Sequence, residues 1–331
     1  MRGKGISYDT GFVRNGVNSW PDFDPAVAER DLRVIRDELH CTAVRVIGGD
    51  PERLELVASK AAELGLEVWF SPYPLELTTD QMLELFADCA ERAERIRRQG
   101  AEVVFVAGAE HCLMNPGFVP GGQFEERVQV LMDRDRAVRL IPEVVARVNE
   151  FLADAVKVIR ERFGGKVTYA AVPLERPDWT LFDFISVDFY RSAEIADQFV
   201  DGVRALVAQG KPVAITEVGC ATYRGAPDLG GRALEAAEFD PHSGLPIRLK
   251  DAHERDEPGQ AEYLREVLAV FDAEGVDSTF VFAFALHGFP HRPDGDPRDD
   301  LDLVSYGIVK LAEDGSWQPK AAFAALADSY R

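Results

Sequence analysis

Short apolar runs alternate along this chain with longer stretches whose apolar positions recur at helical spacing. The short runs read as strands over residues 5–8, 43–47, 67–71, 103–107, 167–171, 184–188, 213–216 and 279–284. Several are apolar almost without interruption, as expected of strands covered on both faces. The stretches between them read as helices over 25–39, 51–64, 79–98, 142–163, 195–209 and 259–274, and 320–330 closes the chain. Asp24-Pro25 and Asp50-Pro51 carry an N-cap residue followed by proline at the first helical position. Gly164-Gly165, Gly210 and Gly275 mark helix ends. Between strands five and six only the short segment 177–182 is left, so that unit lacks a full helix.

Strand and helix in strict alternation predict βα units around a parallel sheet. Eight such strands predict a single (β/α)8 TIM barrel, one domain over 1–331, and a doubly wound open sheet is the alternative. Three connections are long, and all follow strands: 111–139 after strand four, 219–258 after strand seven and 287–306 after strand eight. In a barrel they share the C-terminal face, where active sites are built. Long connections are otherwise uncommon.

Charge and cysteine usage narrow the function classes. With 57 acidic against 37 basic residues the formal charge is -20, which argues against nucleic acid or an anionic membrane as partner. No apolar run approaches the roughly 18 residues of a membrane span. The first strand begins near Gly5, leaving no room for a secretory leader. Cys41, Cys89, Cys112 and Cys220 are scattered, with no C-x-x-C pair. A cytoplasmic protein with reduced thiols is expected. Gly48-Gly49-Asp50 is too short for a phosphate-binding loop, so no nucleotide or other cofactor is implied. The acidic run from Asp294 to Asp302, with His287 and His291, lacks the spacing of a calcium loop and reads as a solvated surface rather than a metal site.

The chemistry-bearing positions lie at strand ends. Glu110 follows Val103-Val104-Phe105-Val106-Ala107-Gly108-Ala109, and Glu217 follows Val213-Ala214-Ile215-Thr216. A carboxylate at the end of each of two apolar strands suits glycoside-bond cleavage. A separation of about 5–5.5 Å gives retention and roughly 6.5–9.5 Å gives inversion. Arg45, a charge inside an apolar strand, needs a partner, and Glu217 is the natural one. Such a pair is expected to lower the Glu217 pKa and keep it ionised. Alternation puts Asp188 and Tyr190 on one face, where the phenol can hydrogen-bond Glu217. Tyr8, Asp9, Trp69, Tyr223 and His287, at or beyond strand ends, are further candidates for substrate contact, although aromatics there also serve as core plugs.

Together these residues resemble the large clan of (β/α)8 retaining glycoside hydrolases. Ala214-Ile215-Thr216-Glu217-Val218-Gly219 resembles the clan's nucleophile strand, and Gly108-Ala109-Glu110 its acid/base strand. Val44-Arg45-Val46 is similar to its strand-two arginine, residues 185–190 to its strand-six tyrosine segment, and Tyr306-Gly307-Ile308-Val309-Lys310 to its hairpin after strand eight. The opening Lys4-Gly5-Ile6-Ser7-Tyr8-Asp9 and residues 216–225 also resemble actinobacterial proteins labelled abortive-infection proteins. The clan resemblance implies Glu217 as nucleophile and Glu110 as acid/base in a retaining hydrolase, and the long connections over the mouth suit a small glycoside or glycosylated metabolite rather than a polymer. One position departs from it. The clan places Asn before its acid/base Glu to bind the sugar 2-hydroxyl, and here Ala109 stands there. Three readings follow: a sugar without that hydroxyl, a replacement donor such as His111, or another reaction. A lyase, isomerase or cyclase of secondary metabolism, and a silent sugar- or protein-binding barrel, are the alternatives to hydrolysis.

Overall fold

The computed structural model describes residues 1–331. Eight strands form one parallel sheet: β1 (Gly3–Asp9), β2 (Ala43–Gly48), β3 (Glu67–Pro72), β4 (Val103–Ala109), β5 (Lys166–Ala170), β6 (Ile185–Asp188), β7 (Val213–Val218) and β8 (Ser278–Val281). Each strand pairs with its sequence neighbour, and β8 pairs with β1. The remaining seam, β5 to β6, is closed by a parallel bridge between Ala171 and Val187. The result is the (β/α)8 barrel expected from the alternation. At that seam two 3₁₀ turns, Pro173–Glu175 and Trp179–Leu181, replace the helix.

Alternation divides every strand between two environments. Tyr8, Val44, Val46, Phe70, Phe105 and Tyr169 face outward into the large core shared with the helices. Ala43, Ile47, Trp69, Val104, Val106 and Phe280 face inward and fill the barrel. Helices α1 (Pro25–Asp37), α2 (Pro51–Glu63) and α3 (Thr79–Arg98) cover the first strands. The side chains of Asp24, Asp50 and Thr78 accept from backbone N–H groups in their first turns, the caps that proline and Thr-x-x-Gln predict.

The first long connection is not a loop. It contains α4 (His111–Met114), α5 (Phe124–Met132) and the start of α6 (Arg134–Arg160). Pro142 was the expected helix start, yet it lies inside α6, because Asp133 caps the helix earlier by accepting from Arg136 N at 3.1 Å. Helix α7 (Phe199–Val207) precedes β7, and the connection after β7 holds α8 (Ala226–Leu229) and a hairpin, Ala237–Phe239 with Pro246–Leu249. Helix α9 (Glu257–Ala273) leads into β8. A hairpin, Val309–Leu311 with Trp317–Pro319, then leads to α10 (Ala321–Tyr330). A further small hairpin after β1, Val13–Arg14 with Val17–Asn18, was not anticipated.

The acidic segment after β8 is solvated only in its first part: Asp294 and Asp296 are exposed, whereas Asp300 and Asp302 are buried. Arg255 bonds Asp302 at 2.7 Å and Asp300 at 2.8 Å, Lys320 bonds Asp302 at 2.8 Å, and His291 bonds Asp300 at 2.9 Å. Lys320 and Asp302 are buried, so these contacts pin the later part of the connection to the barrel rather than leaving it in water.

Candidate active site

Strand β4 ends in a bulge. Its pairing with β5 shifts between Val106 and Ala109, so one extra residue is accommodated there. Gly108 takes that place at φ +77, and a Cβ on it would lie 2.4 Å from the His111 ring. Only glycine fits both the backbone and the space. Glu110 follows in the left-handed region at φ 47 and opens α4. A non-glycine residue there stores strain of about 1–3 kcal/mol, a common feature of functional positions. The conformation is held from behind. Glu175, fully buried, accepts from Cys112 N at 2.9 Å and from the Tyr169 hydroxyl at 2.7 Å, while that hydroxyl accepts from His111 N at 2.8 Å.

Strand β7 carries a second bulge. Val187 pairs with Ile215, but Asp188 pairs with Glu217, and the register with β8 shifts at the same level. In an unbroken strand Glu217 and Ile215 share a face, and Ile215 faces the helices. The extra residue turns Glu217 inward instead. There Arg45 Nη1 donates to Oε1 at 3.0 Å and the Tyr190 hydroxyl donates to Oε2 at 3.1 Å. Arg45 is fully buried and is aimed by Ser71 Oγ, accepting from Nε at 3.1 Å, and by Thr216 O, accepting from Nη1 at 2.9 Å. Asp188, beside Glu217 on β6, is buried with no hydrogen-bond partner for either oxygen.

Three carboxyls, Glu110, Asp188 and Glu217, thus share one guanidinium. Burial drives the Glu110 carboxyl well above the usual range, and the charges of Asp188, Glu217 and Glu175 add to it. Burial and the charge of Glu217 do the same to Asp188. Glu217 is also raised by burial, while the Arg45 charge and the hydrogen bonds from Tyr190 and Arg45 pull it back. The ion pair therefore limits the rise rather than producing the net lowering expected from sequence. Arginine does not give up its proton in a protein. The cluster must then carry a negative charge, and Glu217 is the carboxyl that touches Arg45. Glu110 has no bonded donor and is biased toward the neutral acid. Tyr73 stands close enough to Glu217, Glu110 and Asp188 for all three charges to raise its phenol.

A cavity of about 220 Å³ lies over the barrel mouth. Asp9, Tyr73, Met114 and Phe282, from the ends of β1, β3, β4 and β8, are among its walls. Glu110 and Glu217 do not line it directly, and Tyr73 is the wall shared with the carboxyl cluster.

The structure brings Glu110, Glu217, Arg45, Asp188 and Tyr190 together and leaves other candidates elsewhere. Asp9 faces the cavity, accepting from Gly11 N at 2.7 Å and His287 N at 3.3 Å, and burial raises its carboxyl to about 6. Tyr8, its neighbour, points outward and donates to Asp31 Oδ2 at 3.1 Å under α1. Trp69 is inside the barrel, but near the floor, packed on Phe184 and Phe280 with its indole N–H on Glu67. His111 is not a replacement for the missing Asn. It is fully buried between β4 and the helices, against Tyr169, Phe118 and Phe151, with Nε2 on Ala107 O, and burial takes its pKa down to about 3. Tyr223 is buried with its hydroxyl on Ala233 O, an anchor for the connection after β7. His287 stacks on Trp20 and borders a separate surface cleft. Sequence reading missed Glu175, while it placed Tyr73 among the aromatics at or beyond strand ends, and Tyr73 does line the mouth. Glu175 carries no pattern to mark it, whereas Tyr73, just beyond β3, continues the inward alternation of Trp69 and Ser71.

Several solved structures share this architecture. A GH113 β-1,4-mannanase superposes with a TM-score of 0.60 at 17% identity, covering 100% of this chain and 99% of that one. Thermotoga maritima Cel5A, in complex with cellobiose, gives 0.57 at 13% identity over 97% of each chain. The β-glycosidase BGL167 gives 0.56 at 13% identity, covering 100% and 96%. The fold is that of (β/α)8 glycoside hydrolases. At these identities the likeness establishes the fold alone. No family model matches the sequence. No curated protein matches it either.

Proposed function

We propose that this chain is a glycoside hydrolase acting by double displacement on a small sugar-containing substrate. The observation that carries the reading is the unequal treatment of two strand-end glutamates. Glu217 is paired with a buried guanidinium and a phenol, and Glu110, partly exposed at the mouth, has no protein donor while desolvation and the surrounding carboxyls raise it. That is the division of labour between a nucleophile and a general acid. A Glu217 oxygen attacks the anomeric carbon while Glu110 passes its proton to the departing oxygen. The resulting ester removes the negative charge of Glu217, one of the charges that raise Glu110. Glu110 thereby becomes a stronger acid, is left ionised, and takes a proton from the water that attacks the ester. Free Glu217 and protonated Glu110 return.

No helix is long and apolar enough to cross a membrane. All four cysteines are buried and unpaired, which supports a reducing, cytoplasmic setting. The acidic balance supports a small-molecule substrate over nucleic acid.

The test is a panel of aryl glycosides of both anomeric configurations, with the product anomer read by proton NMR and the reaction run in ¹⁸O-water. Retained configuration, solvent oxygen in the sugar product, and loss of turnover in both Glu110→Ala and Glu217→Ala are expected. Turnover surviving both substitutions removes the reading. Product formed without solvent oxygen replaces it with a non-hydrolytic proton transfer by the same carboxyls.

A further inference from the structure

The walls of the 220 Å³ cavity are unusual for a place that must hold a sugar. Phe12, Phe124, Leu234, Phe239, Leu245 and Phe289 surround it, supplied by the hairpin after β1 and by the connections after β4, β7 and β8. Arg14 and Glu76 in these walls are already paired. Arg14 Nη2 bonds Glu76 at 3.3 Å and Glu125 at 3.0 Å, and Glu76 also holds Arg127 at 2.8 Å. The two Asp9 oxygens accept from two backbone N–H groups. A bound sugar would find the Tyr73 hydroxyl and the spare acceptor capacity of Asp9 but would set most of its hydroxyls against carbon, at a cost of about 1–3 kcal/mol for each unsatisfied group.

We propose that this cavity binds a neutral apolar group, one ring or a small fused ring in size, joined to the sugar whose glycosidic bond the carboxyls cleave. The substrate would then be an amphiphilic glycoside or an acylated sugar rather than an oligosaccharide. This rests on the hydrolase reading for the sugar half and on the cavity alone for the apolar half. Size agrees with the chemistry. A dry apolar cavity of about 150 Å³ accepts benzene, so the larger volume here takes a substituted or fused ring. Location agrees as well. Phe12, Leu75, Met114 and Phe282 pack on the residues filling the barrel and also line the cavity, so its floor is the roof of the barrel interior. Tyr73 joins it to the carboxyls. An occupant would lie alongside the reacting bond, not on a remote surface.

Gly288 gives a clean way to close the cavity. A Cβ there would meet Leu245 at 3.4 Å, Pro246 at 3.8 Å and Ser19 at 3.9 Å, ordinary contacts, and its backbone has no positive φ. Gly288→Ala therefore fits as a fold control, and Gly288→Phe places a ring in the space.

The experiment is calorimetric titration of the full chain with 2-naphthol and, separately, with mannobiose and cellobiose. It is repeated on Glu110→Gln, in which an amide replaces the neutral acid and turnover cannot interfere. Saturable 2-naphthol binding to wild type and Glu110→Gln, weakened at least tenfold by Gly288→Phe but not by Gly288→Ala, is the expected result. Disaccharide binding that Gly288→Phe abolishes, with no 2-naphthol binding, overturns the proposal. Naphthyl glycosides and naphthoyl-esterified sugars then separate the two places the ring can be attached. The two readings fail differently. Naphthol bound without turnover of any glycoside leaves the cavity assignment standing and removes the hydrolase. Disaccharide turnover without naphthol binding does the reverse.

Discussion

Asp188 and Glu217 stand side by side on β6 and β7, yet only Glu217 is held, by Arg45 at 3.0 Å and Tyr190 at 3.1 Å, while both oxygens of Asp188 are without partners. Two buried carboxyls on one guanidinium cannot both ionise cheaply. The geometry therefore decides which one carries the charge.

Removing the guanidinium should be costly to the fold. Arg45→Met is expected to destabilise the protein by about 3 kcal/mol, because the buried Glu217 loses its counter-charge. The double variant Arg45→Met/Glu217→Gln should cost less than the sum of the single changes by at least about 1 kcal/mol. Urea unfolding of the four proteins measures this, and simple additivity would show that the pair is not energetically coupled.

Glu110 matters in proportion to how badly the departing oxygen needs a proton. Glu110→Ala should lower kcat by roughly 10²–10⁴ for alkyl glycosides. For a nitrophenyl glycoside, whose leaving group departs as the anion, the loss of the first step should be much smaller. Equal losses of kcat/KM, which reports the first step and not hydrolysis of the ester, on both substrates would remove the general-acid role.

Tyr190→Phe deletes a hydrogen bond to a charged acceptor, a contact worth about 1.5–3 kcal/mol. Because that bond pulls the Glu217 pKa down, its loss should move the acid limb of kcat/KM to higher pH. Ionised Glu217 is needed for attack, so activity near the limb falls. An unmoved limb would mean that the phenol does not act on Glu217.

The buried carboxyl behind Glu110 links stability to pH. Burial raises Glu175 from 4.5 to about 7. The folded state then binds this proton more tightly than the unfolded state. Its contribution is fully present below pH 4.5 and is lost as pH rises toward 7, by up to about 3 kcal/mol. Glu175→Gln should flatten that part of the stability curve, seen as a smaller fall in urea midpoint between pH 5 and 7. A wild-type midpoint that does not fall over this range would contradict the buried, proton-holding state of Glu175.

The barrel was legible because several strands are near-continuous apolar runs and several helices, α1, α2 and α3 among them, carry a cap residue. The chemistry was legible where charge interrupts such a run, as at Arg45. Facing was harder to read. Tyr8 and Asp9 are adjacent, and alternation sends one under α1 and the other into the cavity, so nearness to a strand end does not place a side chain at the mouth. Glu217 breaks the rule in the other direction, since only the bulge turns it inward, and a register shift leaves no mark in one sequence. His111 follows Glu110 directly, but the left-handed turn of Glu110 throws the two side chains to opposite sides of β4. Trp69 is at the wrong height rather than on the wrong face.

Arg45 and the glutamate that neutralises it are 172 positions apart in the chain. Ribosomal synthesis therefore delivers β1 to β4, with a cation destined for the interior, long before its counter-ion exists. Until β7 arrives, that half cannot close around Arg45 without an uncompensated charge inside. The ion pair that joins β2 to β7 therefore favours collapse only once the polypeptide has been made through Glu217.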